Sequence, residues 1–263
     1  MNYFSHPKYF SYLLLYFSFA LNISAQGSAG SDATNELISL IDQPTAGILP
    51  KGNFNLSFDV LPNGVLITKA ELGIIKNFSL GLSYGASNLV GIGKLDWYRL
   101  PGFHAKLRIF TETRMVPSFL FGFNSQGKGE YNKSEKRYDI KSKGLYLSVA
   151  KNFKFLGYVS FHGIVNSSLE NEKVLENINF GIGLEKTIGP TVSLIAEYDF
   201  GLNDNDDKKF GKGNGYLNLG LRWSASYGLT IGFDLRNLTD NKKNSFSDGI
   251  ERALFIEYIR EIF

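Results

Sequence analysis

The chain has 263 residues, of which 43% are hydrophobic and 20% charged, and 28 lysines and arginines against 25 aspartates and glutamates leave a formal net charge of +3. That excess is too small and too evenly spread for a nucleic-acid partner. With no cysteine there is no disulfide framework, no thiolate metal site and no lipidated cysteine of the kind a bacterial lipoprotein carries.

The composition also holds 28 Gly, 22 Phe and 14 Tyr, which suits many strands joined by tight turns and not a disordered chain. At the N-terminus, Met1 to Lys8 carries a basic residue and Tyr9 to Ile23 is an uncharged apolar run with Leu13, Leu14, Leu15 and Phe17. Ile23-Ser24-Ala25 ahead of Gln26 has the small-residue form of a cleavage site, so residues 1–25 are predicted to be a cleaved signal peptide. The alternative, an uncleaved anchor, needs ~20 apolar residues to span a bilayer as a helix, and this run is shorter. Residues 26–52 are predicted to be a periplasmic leader: Gly27 to Asn35 is small, polar and flexible, and Glu36 to Asp42 makes one or two helical turns that Pro44 ends.

From Asn53 the pattern changes to a period of two, which persists to the C-terminus and defines a barrel over residues 53–263. Twelve strands are predicted, at 53–60, 65–75, 78–87, 102–111, 117–124, 142–150, 155–165, 178–185, 191–200, 216–224, 228–236 and 252–259. One parity is apolar, as in Phe54, Leu56, Phe58 and Val60, or Leu217, Leu219, Leu221 and Trp223. The other is polar and rich in glycine. Its lumen-facing candidates are Lys69, Glu71, His104, Lys106, Arg108, Tyr158, His162, Glu185, Glu197, Asp199, Arg222, Asp234, Arg236 and Glu257. A soluble sandwich also alternates, with its polar face in water. Glycines on the polar parity favour a lumen, where small residues relieve crowding inside a closed sheet.

Loop lengths provide an independent test, because outer-membrane barrels have short periplasmic turns and long outer loops. Short connections at Lys76-Asn77, Glu112 to Val116, Lys151 to Lys154, Lys186 to Pro190 and Ala225 to Tyr227 alternate with longer ones at 88–101, 125–141, 166–177, 201–215 and 237–251. The hairpin at Pro62-Asn63-Gly64 departs from that alternation. The fold expected is therefore all-β: a transmembrane, antiparallel up-and-down β-barrel of about twelve strands. The terminal Phe263 resembles a barrel-assembly signal, although Arg260-Glu261 interrupts the apolar alternation before it. The expected partners are outer-membrane lipid, lipopolysaccharide and the barrel-assembly machinery.

Local motifs add little chemistry. Gly122 to Lys128 fits the first part of a phosphate loop, but Gly129 stands where Ser or Thr would hold a magnesium ion, so a hairpin exit is expected. Asn203 to Asp207 has the ligand density of a calcium loop without its spacing, and Lys208 and Lys209 neutralise it. It is expected as a solvated loop, with a weak divalent-ion site bridging lipopolysaccharide as the alternative. His162 lies close to Asn166, Ser167 and Ser168, yet the Ser candidates fall beyond the strand end, which disfavours a Ser–His lipid hydrolase. No catalytic residue, cofactor or metal is predicted. Basic and acidic lumen candidates nearly balance, which predicts interior ion pairs and a narrow or occluded lumen rather than a single-sign selectivity ring. Tyr146, Tyr158 and Tyr198 are candidate sugar contacts; Trp223 and Tyr258, on the apolar parity, are candidates for an interfacial girdle.

The segments SYGASNLVG (83–91), PGFHAKLRIFTET (101–113), PSFLFGFNSQGKGEY (117–131) and RYDIKSKGLYLSVAKNF (137–153) resemble YjbH-like outer-membrane proteins. FHGIVNSSLE (161–170), INFGIGLEKTIGP (178–190), AEYDFGLNDN (196–205) and GKGNGYLNLGLRW (211–223) extend the likeness. It rests on strand-and-loop texture from about residue 44 onward and transfers no functional residue. The resemblance implies an association with exopolysaccharide production or export, hence a conduit or assembly factor with polysaccharide as partner. A structural or adhesive barrel is the alternative.

Overall fold

The computed structural model describes residues 27–91, 93–170, 178–204, 210–243 and 249–263. The predicted signal peptide lies outside them. The strands in chain order are β1 (Asn53–Leu61), β2 (Val65–Ile75), β3 (Phe78–Ser87), β4 (Asp96–Trp97), β5 (Gly102–Phe110), β6 (Ser118–Asn124), β7 (Lys128–Asn132) and β8 (Arg137–Ile140). They continue with β9 (Gly144–Lys154), β10 (Tyr158–Ser167), β11 (Ile178–Thr187), β12 (Val192–Asp199), β13 (Tyr216–Ser226), β14 (Leu229–Arg236) and β15 (Glu251–Glu261).

Twelve of these close a ring in which each strand is antiparallel to its neighbours: β1, β2, β3, β5, β6, β9 to β15, and back to β1. The seam joins the two ends of the chain, with Phe54 opposite Arg260 and Val60 opposite Leu254. Closure matters because hydrocarbon offers no partner to a free strand edge, so every wall N–H and C=O must pair within the sheet. The short turns other than Pro62-Asn63-Gly64, together with both ends of the wall, lie at one rim, the turn end; that first hairpin and the longer connections lie at the other, the loop end.

Alternation sorts the side chains as expected. Leu82, Phe121, Ile182, Leu221, Phe233 and Leu254 point outward and are exposed, forming an apolar belt around the ring. Such a belt is too extensive for a water-facing surface and suits a bilayer core. Trp223 and Tyr258 also face outward, where they are 45% and 36% exposed. Tyr198 shares that outward parity and gives its hydroxyl to the Asn214 carbonyl, so it is not a lumen group. Among the described residues no helix is long and apolar enough to cross a membrane.

Three expectations are corrected. The turn expected at Lys151 to Lys154 lies inside β9, and the chain reverses at Phe155 to Gly157, where Leu156 and Gly157 take positive φ. Lys151 and Asn152 extend the strand because they bind the neighbouring turn, at the Thr113 carbonyl and the Glu112 carboxylate. The loop expected at 125–141 contains the β7–β8 hairpin. Glu36 to Asp42 is not helical: Ser39 bridges Pro44 and Leu40 N–H donates to the Gln43 carbonyl at 2.9 Å, making a tight hairpin.

Candidate functional site: a lumen filled by the N-terminal hairpin

The polar parity lines the lumen, but the lumen is not empty. Residues 27–49 are folded inside it instead of lying outside as a flexible leader. Ile38, Leu40, Ile41, Ala46, Ile48 and Leu49 are all buried against the inner wall. The wall's lumen glycines make the space. A methyl group on Gly183 would sit 2.1 Å from Leu40 Cδ1, and one on Gly181 would sit 2.4 Å from Gln43 Nε2. The crowding that the glycine parity relieves therefore comes from the chain's own N-terminal segment.

Charged wall residues grip this hairpin largely by its backbone. Glu197 accepts hydrogen bonds from the backbone N–H groups of Ile41 (3.0 Å), Asp42 (2.8 Å) and Gln43 (3.2 Å). Those are groups a helix would have satisfied internally, which accounts for the missing helix. Arg108 donates to the Ala46 carbonyl and pairs with Glu36, Lys106 donates to the Ile38 carbonyl, and Arg222 to the Leu40 carbonyl. Ser148 reaches the Pro44 carbonyl, and Arg236 pairs with Asp42 at 2.7 Å. Lower down, Ser28 donates to Glu257, and Gly30 N–H donates to Ser193.

The remaining predicted lumen residues fall on the same inner face. Glu71 takes Lys106 at 3.4 Å and the Ser79 hydroxyl, and Asp234 takes Arg222. Asp199 pairs with Lys143 and accepts from Asn179. Lys69 lies in the field of Lys106, Glu71 and Asp59, and His104 is buried with its Nε2 unpartnered. Tyr146 is buried beside Leu120 and Ile48. Tyr158, His162 and Glu185 border the space the hairpin leaves open.

At the loop end the β7–β8 hairpin fills the mouth. Tyr138 packs on Leu61, Val65, Ile67 and Ala253, and its ring meets those of Tyr98 and Tyr131 edge-on at 5.0 Å. Arg137 pairs with Asp204 at 2.7 Å while stacked over Phe210, and Lys128 pairs with Asp59. Lys128, the last residue of the phosphate-loop-like run, is thus spent on an ion pair in a hairpin. Asn203 and Asp204, expected in a solvated loop, are buried because Arg137, Lys141 and Tyr216 take them as partners; residues 205–209 lie outside the described ones. Outside the wall, burial raises the carboxyls of Glu170, Asp139 and Glu130 above their ordinary range, and the Asp139 carboxylate raises that of Glu130 further. Burial likewise pushes the Tyr138 hydroxyl up to about 12.

Several of these partners were missed in the sequence. Asp59 was the recoverable one, since it shares the parity of Asn55 and Ser57. Glu36, Asp42, Arg137 and Asp204 sit in connections, where no periodicity assigns a face. Among the described residues no three His, Asp or Glu side chains converge to hold a metal ion. Both ring nitrogens of His162 are buried without a hydrogen-bond partner, so no Ser–His pair is formed there.

A closed ring of antiparallel strands with an apolar outer belt and a charged, filled interior decides the class. The chain is a twelve-stranded transmembrane β-barrel. No family model matches it, and no curated protein does. Among solved structures it is similar to a KdgM porin at 10% identity, over 78% of this chain and 98% of that one, with a TM-score of 0.50. It is also similar to a KdgM porin in complex with disordered oligogalacturonate (10% identity, 78% and 98% covered, TM-score 0.48) and to a NanC porin (7%, 80% and 100%, 0.46). At such identities the likeness is one of fold, and the barrel's interior has to be read from its own residues.

Proposed function

We propose that this barrel is a non-enzymatic protein of the bacterial outer membrane that serves polysaccharide export, as a conduit or an assembly factor, and that its N-terminal hairpin closes the lumen at rest. One observation carries this: wall side chains hold the hairpin mostly through its backbone, by Glu197, Arg108, Lys106, Arg222 and Ser148. A lumen so furnished with donors and acceptors can hold a polar chain in place of the hairpin. The resemblance to YjbH-like proteins supports exopolysaccharide as that chain. The outer belt would face membrane lipid and lipopolysaccharide, and insertion would require the barrel-assembly machinery.

The test is ionic current through planar bilayers. The intact chain is expected to pass little, and a chain lacking both residues 27–49 and the β7–β8 hairpin (residues 128–140), the two segments that fill the lumen and its loop-end mouth, to give a steady open channel. The closure of both mouths favours a second reading, a structural or adhesive barrel that never opens. A deletion barrel that inserts but stays closed would select that reading and end the conduit.

A further inference from the structure

The hairpin does not fill the lumen evenly. Between it and the wall of β5, β9, β10 and β11 lies a chamber of about 370 Å³, lined by Glu36, Arg108, Glu112, Tyr158, His162 and Glu185 among others. Its volume falls near the lower end of the range for small-ligand pockets. Tyr158, Thr111 and Glu112 sit at the turn end, so the chamber opens there, whereas the loop end is filled by β7–β8. Access is one-sided.

The lining specifies a chemistry. Tyr158 is 42% exposed and presents a ring at the mouth. Deeper in, His162 and Glu185 lie on the same inner face of paired strands, with Ser160 opposite Glu185 and His162 opposite Gly183. Two unpartnered buried nitrogens on His162 offer one donor and one acceptor. Such a group is costly unless something bonds it. Glu36 and Glu112 are each held by a cation, Arg108 and Lys151, while Glu185 has Ser193 beside it. With Glu36 and Glu112 neutralised by Arg108 and Lys151, the described residues of the lining offer no spare cation to an acidic ligand, and the Glu185 carboxyl disfavours one. An aromatic ring, an acceptor and a donor–acceptor pair suit a hydroxyl-rich, uncharged one.

Resting on the export reading above, we propose that this chamber is a loading site for one uncharged sugar unit of a polysaccharide, entered from the turn end. The direction of entry is then that of export.

Because the chain has no cysteine, a single Thr111→Cys at the chamber mouth is a unique reporter. The probe is the rate of its reaction with a membrane-impermeant maleimide, on the full-length protein in detergent. Maltotriose, cellotriose and chitotriose are tested as neutral ligands against trigalacturonate as the acidic one. At least one neutral trisaccharide should slow labelling by about tenfold at saturation, a 1.4 kcal/mol effect, and trigalacturonate should not. Tyr158→Ala and Glu185→Gln should abolish the protection, and Tyr158→Phe should keep it. No protection by any neutral sugar, equal protection by trigalacturonate, or protection that survives Tyr158→Ala would each overturn the site. In cells the thiol should react only after the outer membrane is permeabilised; reaction in intact cells would overturn the side of entry. If protection fails but deletion of residues 27–49 together with 128–140 still opens the pore, the site falls and the export reading stands. If neither behaves as expected, both fall.

Discussion

The two mouths of the barrel are closed in different ways. At the loop end, side chain meets side chain: Tyr138 on Leu61, Val65 and Ile67, Arg137 on Asp204, Lys128 on Asp59. Inside the lumen, along the hairpin that enters from the turn end, wall side chains meet backbone: Glu197 takes three consecutive N–H groups, and Arg108, Lys106 and Arg222 take carbonyls. Interlocked side chains fit one partner. Groups that bind a peptide backbone can bind another polar chain, so the closure by the N-terminal hairpin is the replaceable one. It is also the closure with unfilled space beside it.

Four measurements would break or sharpen that contrast. The largest effect is expected at the loop end. Arg137→Met leaves the Asp204 carboxylate buried with the Tyr216 hydroxyl but without its cation, and breaking a buried ion pair typically costs about 3–5 kcal/mol. Hydrogen exchange over 128–140 should accelerate strongly while protease resistance at 27–49 is unchanged; equal loosening at both ends would mean that they are one unit.

Inside the lumen, Glu197→Ala orphans the N–H groups of Ile41, Asp42 and Gln43. With charge-assisted bonds worth about 1.5–3 kcal/mol each and only partial compensation by water, a loss of about 3 kcal/mol in hairpin seating is expected. The readout is protease cleavage within 27–49, rising while heat-modifiability of the barrel on gels persists. A smaller effect, about 1–3 kcal/mol, is expected from Gly183→Val, which drives a side chain into Leu40. It should loosen the hairpin alone, so wall unfolding in urea should shift little.

The smallest effect is that of pH on the loop-end stopper. Glu170, Asp139 and Glu130 have carboxyls raised by burial above their unfolded values. The folded state then binds more protons between the unfolded and folded values, so stability falls as pH rises through that window and is recovered below it. Exchange protection over 128–143, each rate taken relative to the unstructured amide at the same pH, should be greater at about pH 4 than at about pH 7. The reverse order would mean that the ion pairs of Arg137 and Lys128 dominate there.

The wall was legible because its signal is local. Consecutive residues of a strand face lipid and lumen in turn, so Phe119, Phe121 and Phe123 alternate with Ser118, Leu120 and Gly122 on the other side, and neighbours in the ring are mostly neighbours in the chain. The charged lumen positions could be named for the same reason, but not their partners. Arg108 and Arg236 were expected to face acidic wall residues; they pair with Glu36 and Asp42 of the hairpin.

What the sequence by itself determined, then, is a twelve-stranded wall with an apolar outside and a polar, glycine-rich inside, because strand periodicity writes that division into every second residue. Only the tertiary structure decided what occupies the inside. The N-terminal segment is held across 156 residues, from Ile41 to Glu197, and 182 residues, from Leu40 to Arg222. It is held by backbone groups that every residue carries alike. A contact made through such groups leaves no side-chain pattern to read, and it becomes visible only when the barrel has closed around it.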